Sequence, residues 1–242
     1  MKSGKLLGIG VGPGDPELLT VKGARLLNNC RHLFVPKAKI KSESLALDIA
    51  KGYLNEKTEV YELIFPMLTD KEELERCWNE SACRIAEVLK KGEDACFLTL
   101  GDAMLYSTYI YLIRALMEIL PDVEVETVPG VTAFSAVAAL INFPVGEGKE
   151  LVTIIPAADD LETIRKALKN KGTVVLMKIG IRLQGILDIL EEEKVIDDAA
   201  FVAYAGHGKE RVETDLRKLR SERPETGYLS TILVRTRASD TK

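Results

Sequence analysis

Histidine and tryptophan are scarce in this sequence, and its cysteines lack metal-ligand spacing. The 242 residues include two histidines, one tryptophan and four cysteines. The cysteines form no CxxC pair, and neither histidine lies at ligand spacing from a cysteine pair. We therefore expect reduced, packed thiols and no metal site.

Long apolar runs and an excess of positive charge are also missing. The longest apolar runs, such as residues 199–205, fall far short of the roughly 20 residues that span a bilayer. A formal net charge of −4 gives no overall attraction to nucleic acid. With 46% apolar residues the chain has enough material for a sizeable core. We expect a cytoplasmic protein with a small-molecule partner, bound neither to nucleic acid nor to a membrane.

Several common nucleotide and hydrolase motifs are absent. Residues 8–16 are rich in glycine but contain no G-x-G-x-x-G, and residues 28–41 include no acid to bind a ribose. No Gly-Lys pair is followed by Ser or Thr, as a P-loop requires, and no G-x-S-x-G is present. These absences disfavour an ordinary Rossmann enzyme, a P-loop nucleotidase and a triad hydrolase.

What the sequence contains is three turn-like segments, each between a strand-like apolar run and a helical pattern. They are residues 8–16 (GIGVGPGDP), 100–108 (LGDAMLYST) and 128–134 (VPGVTAF). Loops at the carboxyl ends of parallel strands bind ligands in open α/β sheets. Glycine lets the backbone approach a flat ligand, and Asp102 is suited to accept hydrogen bonds from a ribose or an amine. Each segment alone is consistent with a simple tight turn, but together they favour a shared ligand crevice.

The alternation of strands and helices predicts two α/β domains. We place them at residues 1–126 and 127–242, joined near residues 126–129. In the second domain, residues 211–216 and 228–234 resemble strands linked by a charged loop, which suggests an antiparallel edge.

Local signals in the first domain predict its opening elements. A strand over residues 5–9 precedes a helix that is capped by Asp15 and ends near Leu27. The next strand, over residues 33–35, should stop at Pro36.

These motifs resemble those of the tetrapyrrole methylases, the class III S-adenosylmethionine-dependent methyltransferases of cobalamin and sirohaem synthesis. The resemblance covers nearly the full length and is strongest to the branch that methylates C20 of precorrin-2 or cobalt-factor II. Besides the three turns, it rests on residues 65–67 (FPM), 144–148 (PVGEG) and 177–178 (MK). It implies two α/β domains with S-adenosylmethionine in a cleft between them, a homodimer, and C20 methylation during corrin-ring (vitamin B12) biosynthesis.

The resemblance also implies cofactor contacts residue by residue. The positions that match are Pro13, Leu100, Gly101, Asp102, Leu105, Thr132, Ala133, Met177 and Gly206. Two segments depart from the family: Ala103 replaces a common proline, and residues 204–208 (YAGHG) replace an acidic-basic pair. Alanine at 103 affects loop rigidity and removes no side-chain ligand, whereas the second departure bears on Gly206.

The implied reaction needs no covalent nucleophile on the protein. A sulfonium methyl group is already activated, and the meso carbon of a reduced tetrapyrrole is itself nucleophilic. Removal of the displaced ring proton calls for a base, and the sequence identifies neither that base nor another catalytic residue. Cationic partners are needed for the acetate and propionate arms of the macrocycle, and the candidates are Lys37, Lys39, Lys178, Arg182 and Arg211.

Three other functions stay open at this point. One is methylation of a different tetrapyrrole carbon. Another is a non-catalytic protein that binds an adenosyl ligand or a tetrapyrrole. The third is an NADP-dependent reductase in which Arg31 reads the additional phosphate.

Overall fold

The computed structural model describes residues 3–37, 43–65, 70–156 and 160–236. The chain separates into two compact units, Met1–Thr132 and Ala133–Lys242. The boundary predicted from the sequence lies earlier, inside a strand that belongs to the first unit. No helix within the described ranges is long and apolar enough to cross a membrane.

The first unit is a parallel α/β sheet with helices on both faces. Its elements are β1 Lys5–Gly10, α1 Val21–Asn28, β2 His32–Lys37, α2 Leu45–Ala50, β3 Glu59–Ile64, α3 Lys71–Leu89, β4 Ala95–Thr99, α4 Tyr109–Ile119 and β5 Glu124–Val128. The strand order is β3-β2-β4-β1-β5, and each pair of neighbours is parallel. The carboxyl ends of β4, β1 and β5 are therefore adjacent.

Alternating side chains on the strands divide the first core into two layers. Leu6 and Phe97 pack with α3 and α4, whereas their neighbours Leu7 and Leu98 pack with α1 and α2. Successive strand residues point to opposite faces, so a near-continuous apolar strand fits a sheet that is covered on both sides.

Two local predictions in the first unit were wrong in their boundaries. Asp15 caps only a short 3-10 helix, Pro16–Leu18, because extended Thr20 then starts α1 by accepting a hydrogen bond from the Gly23 amide. Strand β2 also continues through Pro36. It pairs there with β3 alone, so the missing proline N–H costs no sheet hydrogen bond on the other side.

The second unit is a mixed sheet with helices on both faces. Its elements are α5 Ala133–Leu140, β6 Leu151–Pro156, α6 Leu161–Leu168, β7 Gly172–Met177, α7 Leu183–Glu192, β8 Ala199–Ala203, β9 Arg211–Glu213 and β10 Ser230–Thr236. The strand order is β6-β7-β10-β8-β9, with β6 and β7 parallel and β10 antiparallel to both of its neighbours.

The antiparallel edge predicted for the second unit is correct for β9 and wrong for β10. Strand β9 lies at the edge beside β8, whereas β10 occupies the centre of the sheet. The run Ile232, Leu233 and Val234 explains this position, because these residues are buried alternately against α6 and α7 on one face and α5 on the other.

Candidate functional site: loops at the carboxyl edges

The loops after β1 and β4 are hydrogen-bonded to each other through their backbones. The Gly12 N–H donates to the Gly101 carbonyl at 3.2 Å, and the Gly101 N–H donates to the Gly12 carbonyl at 2.8 Å. Both glycines have positive φ angles, +82° and +71°, which side-chain-bearing residues rarely adopt. The glycines of two of the predicted turns therefore form one paired loop structure.

Asp102 joins the same structure to the loop after β5. Its Oδ1 accepts a hydrogen bond from the Met104 N–H at 2.9 Å, and its Oδ2 accepts one from the Gly130 N–H at 2.9 Å. Hydrogen bonds from backbone amides to an ionised carboxylate are among the stronger ones in proteins. Asp102 thus braces two loops, and each carboxylate oxygen retains a lone pair for a further donor.

Glycine is required at two positions for these loops to meet. A Cβ on Gly130 would lie 2.1 Å from the Gly101 carbonyl oxygen and 2.7 Å from the Gly10 carbonyl carbon. A Cβ on Gly10 would lie 2.7 Å from both the Gly101 oxygen and the Gly130 nitrogen. The three loops are therefore packed backbone against backbone.

Buried polar side chains support the loops from below. Ser107 Oγ and Thr99 Oγ1 are 2.7 Å apart, and Ser107 Oγ also accepts a hydrogen bond from the Tyr109 N–H. The Tyr109 hydroxyl lies 3.2 Å from Thr127 Oγ1, and its ring occupies the space where a side chain on Gly8 would be. Burial raises the pKa of Tyr109 above its ordinary value.

The sequence did not predict these hydrogen bonds among Thr99, Ser107, Tyr109 and Thr127. One signal was available, since a glycine in the middle of a strand often marks a close approach by another group. Gly8 lies at such a position in β1, but nothing in the sequence indicates that Tyr109 is the group it admits.

The structure brings most of the first-unit cofactor candidates together. Leu100, Gly101 and Asp102 form the turn that leaves β4, and the bridge to Gly12 places the buried Pro13 next to it. Leu105 continues the same loop. Thr132 follows the Gly130 turn that Asp102 holds.

The second-unit candidates gather at one edge of the second sheet. Met177 ends β7 opposite Thr231 of β10, and Ala203 ends β8 opposite Ser230 of β10. Lys178 directly follows the end of β7, and Gly206 lies three residues beyond the end of β8. Both have positive φ angles, +55° and +75°. Arg182 lies in the 3-10 helix after β7, and Arg211 pairs with Ala203 at the start of β9. Ala133 is separate from this group, at the first residue of α5.

The five substrate-binding candidates differ in their surroundings. The Lys37 ammonium lies 2.9 Å from Glu62, with its side chain only 10% exposed. Arg211 lies 2.9 Å from Glu222 and lowers the pKa of that carboxyl. Lys178 is exposed as a residue, yet partial desolvation of its amine lowers its pKa. Lys39 lies outside the described residues.

Solved structures of tetrapyrrole methyltransferases share this architecture. A cobalt-precorrin-4 methyltransferase matches 95% of this chain and 94% of its own, with a TM-score of 0.73 and 21% identity. A uroporphyrin-III C-methyltransferase from Thermus thermophilus, complexed with S-adenosyl homocysteine, matches 96% of this chain and 92% of its own, with a TM-score of 0.66 and 21% identity. The class of fold is therefore that of the two-domain tetrapyrrole methyltransferases.

Sequence similarity narrows the class to a family. The cobalt-precorrin-2 C(20)-methyltransferase of Salmonella typhimurium is 36% identical, over 96% of both chains. A probable cobalt-precorrin-2 C(20)-methyltransferase of Methanocaldococcus jannaschii is 39% identical over 72% of both chains. The precorrin-2 C(20)-methyltransferase of a Sinorhizobium species is 30% identical, over 96% of this chain and 95% of its own. The profile of the Tetrapyrrole (Corrin/Porphyrin) Methylases matches residues 5–220, and the chain belongs to that family.

Proposed function

We propose that this protein transfers the methyl group of S-adenosylmethionine to C20 of precorrin-2 or cobalt-factor II in corrin-ring biosynthesis. The proposal rests mainly on three glycine loops at the carboxyl ends of β4, β1 and β5, which are hydrogen-bonded to one another. Relatives that match nearly the whole chain are named for this reaction on the cobalt-containing or the metal-free substrate.

The residues of the loop edge fit an adenosyl ligand. A Cβ on Gly101 would meet no atom within 4 Å, so space is open on that side of the turn. The same turn carries the backbone amides and carbonyls of its residues and the remaining lone pairs of Asp102. We assign Pro13, Leu100, Gly101, Asp102, Leu105 and Thr132 to this ligand. For Ala133, Met177 and Gly206, the assignment rests on the resemblance alone.

The chain's own part in the reaction is positioning. When bound, S-adenosylmethionine would supply an activated methyl group, leaving S-adenosylhomocysteine as the methyl group replaces the proton on C20. The braced loops hold their donors and acceptors in fixed positions before the ligand arrives, so little reorganisation is needed. Alignment of reacting groups can contribute roughly 7–11 kcal/mol where the geometry is ideal. No residue of the chain is assigned as a base.

We assign Lys178 and Arg182 to the carboxylate arms of the substrate, because both follow the end of β7. Lys37 and Arg211 are retained as candidates, and each forms an ion pair with a carboxylate of its own unit. We further propose a cytoplasmic homodimer that binds no nucleic acid. Light scattering of the purified protein tests the dimer.

Incubation with S-adenosylmethionine and each substrate in turn tests the proposed function. Mass analysis should show the gain of one methyl group with at least one of them. No gain with either substrate contradicts the proposal, and calorimetric binding without turnover would then indicate a binding protein. Asp102→Ala is compared with the wild-type protein in the same assay. This substitution removes the two hydrogen bonds that Asp102 accepts from the Met104 and Gly130 amides, and it leaves the proposed cationic contacts in place.

A further inference from the structure

The loop between β4 and α4 exposes two large apolar side chains. Met104 is 56% exposed and Tyr106 is 38% exposed, whereas the flanking Ala103 and Ser107 are buried. Large apolar groups on a ligand-binding edge are a common feature of surfaces that contact apolar ligands.

This loop is fixed at both of its ends. At one end Asp102 accepts a hydrogen bond from the Met104 N–H, and at the other Ser107 is bonded to Thr99 and receives the Tyr109 N–H. The exposed side chains are therefore presented by a backbone that is held at both ends, with buried groups at the Ser107 end.

Tyr106 has an unfavourable backbone conformation for its residue type. Its φ angle is +52°, a region that glycine adopts easily and a bulky side chain rarely adopts. Glycine at this position would fit the loop with less strain. Residues held in such conformations cluster at binding and catalytic sites, which favours a role for Tyr106 in the site.

We infer that Met104 and Tyr106 contact the macrocycle of the tetrapyrrole substrate and contribute to its binding. The inference rests on the proposed function and adds two residues to that site. A thioether and an aromatic ring both suit a large, flat, largely apolar macrocycle, and neither competes with the cations required for its carboxylate arms. The loop that carries them also includes Gly101 and Asp102, so these contacts would adjoin the proposed methyl donor.

The test compares Tyr106→Gly, Tyr106→Phe and Met104→Ala with the wild-type protein. Met117→Ala is the control, since Met117 is a methionine 46% exposed on α4, away from this loop. We expect Tyr106→Gly to raise the KM for cobalt-factor II or precorrin-2 roughly tenfold, equivalent to about 1.4 kcal/mol. Tyr106→Phe retains the ring and should stay near the wild-type KM, and Met104→Ala should raise KM.

Two further measurements separate substrate contact from a structural role. The Tm of Tyr106→Gly should not fall, and its Kd for S-adenosylhomocysteine should stay within about twofold of wild type, a change below 0.5 kcal/mol. An unchanged KM in an active Tyr106→Gly variant overturns the inference while the proposed function stands. A lower Tm, or a Kd that rises as much as KM, also overturns it.

If the wild-type protein methylates neither substrate, the proposed function fails and binding is measured directly. An absorbance titration with cobalt-factor II then decides the inference. Binding by the wild-type protein that Tyr106→Gly weakens supports it, whereas equal binding by both proteins, or binding by neither, overturns it.

Discussion

Replacing Gly130 by alanine should destabilise the first unit by about 2–4 kcal/mol. The added Cβ would lie 2.1 Å from the Gly101 carbonyl oxygen, and backbone must move to relieve that contact. Overpacking of this kind costs about 1–3 kcal/mol. The same movement weakens the Asp102–Gly130 hydrogen bond, and bonds to charged groups contribute about 1.5–3 kcal/mol. The two costs overlap, so the expected loss is less than their sum.

Tryptophan fluorescence during urea unfolding measures this loss in the relevant unit. Trp78 is the one tryptophan of the sequence and stacks on Tyr111 of α4, with ring centroids 4.4 Å apart. With a slope of about 2 kcal/mol per molar urea, the midpoint should fall by roughly 1–2 M.

Gly52→Ala is the matched control for this prediction. Nothing lies within 4 Å of the Cβ position at Gly52, and its φ is not in the left-handed region. Its midpoint should stay the same or rise slightly. Equal midpoints for the two variants would refute the backbone packing described for the three loops.

Three other predictions concern the hydrogen bonds of Asp102, the buried hydroxyl of Tyr109 and the proposed substrate contact of Lys178. Asp102→Ala should weaken S-adenosylhomocysteine binding more than Asp102→Asn, which keeps one acceptor oxygen. Calorimetry compares the affinities of both variants with that of the wild-type protein. Wild-type affinity in both variants would contradict the role given to the Asp102 hydrogen bonds. Tyr109→Phe should lower the free energy of unfolding by about 0.5–1.5 kcal/mol at neutral pH. Because the pKa of Tyr109 is raised in the fold, the contribution of its hydroxyl to stability is present below the ordinary pKa of about 10 and is lost as pH rises above that value. The difference in unfolding free energy between Tyr109→Phe and wild type should therefore shrink at high pH, as urea titrations can measure. Lys178→Ala should raise the KM for the substrate with little change in the affinity for S-adenosylhomocysteine. Steady-state kinetics measures the KM, and calorimetry measures the affinity. An unchanged KM would exclude Lys178 from the substrate site.

The positions of the three glycine loops were predictable because their signals are local. A strand-like run, a glycine or proline turn and a helical pattern lie next to one another in each segment, and parallel strands place such turns on one edge. The two-domain α/β class follows from the same alternation, and it is confirmed by the solved structures that share the fold.

Contacts distant in sequence were not predictable from these signals. Nothing near Asp102 indicates that its carboxylate holds the Gly130 amide, and nothing near Lys37 indicates its ion pair with Glu62. The central position of β10 was likewise hidden, since a short apolar run does not reveal how many neighbours a strand has.

The position of the transferred methyl group tests the proposed function most directly. Reaction of the wild-type protein with S-adenosylmethionine carrying a 13C-labelled methyl group, followed by NMR of the isolated tetrapyrrole, identifies the carbon that is modified. We expect one labelled methyl group, on C20. A label on another ring carbon, or an unlabelled macrocycle, would contradict the assignment.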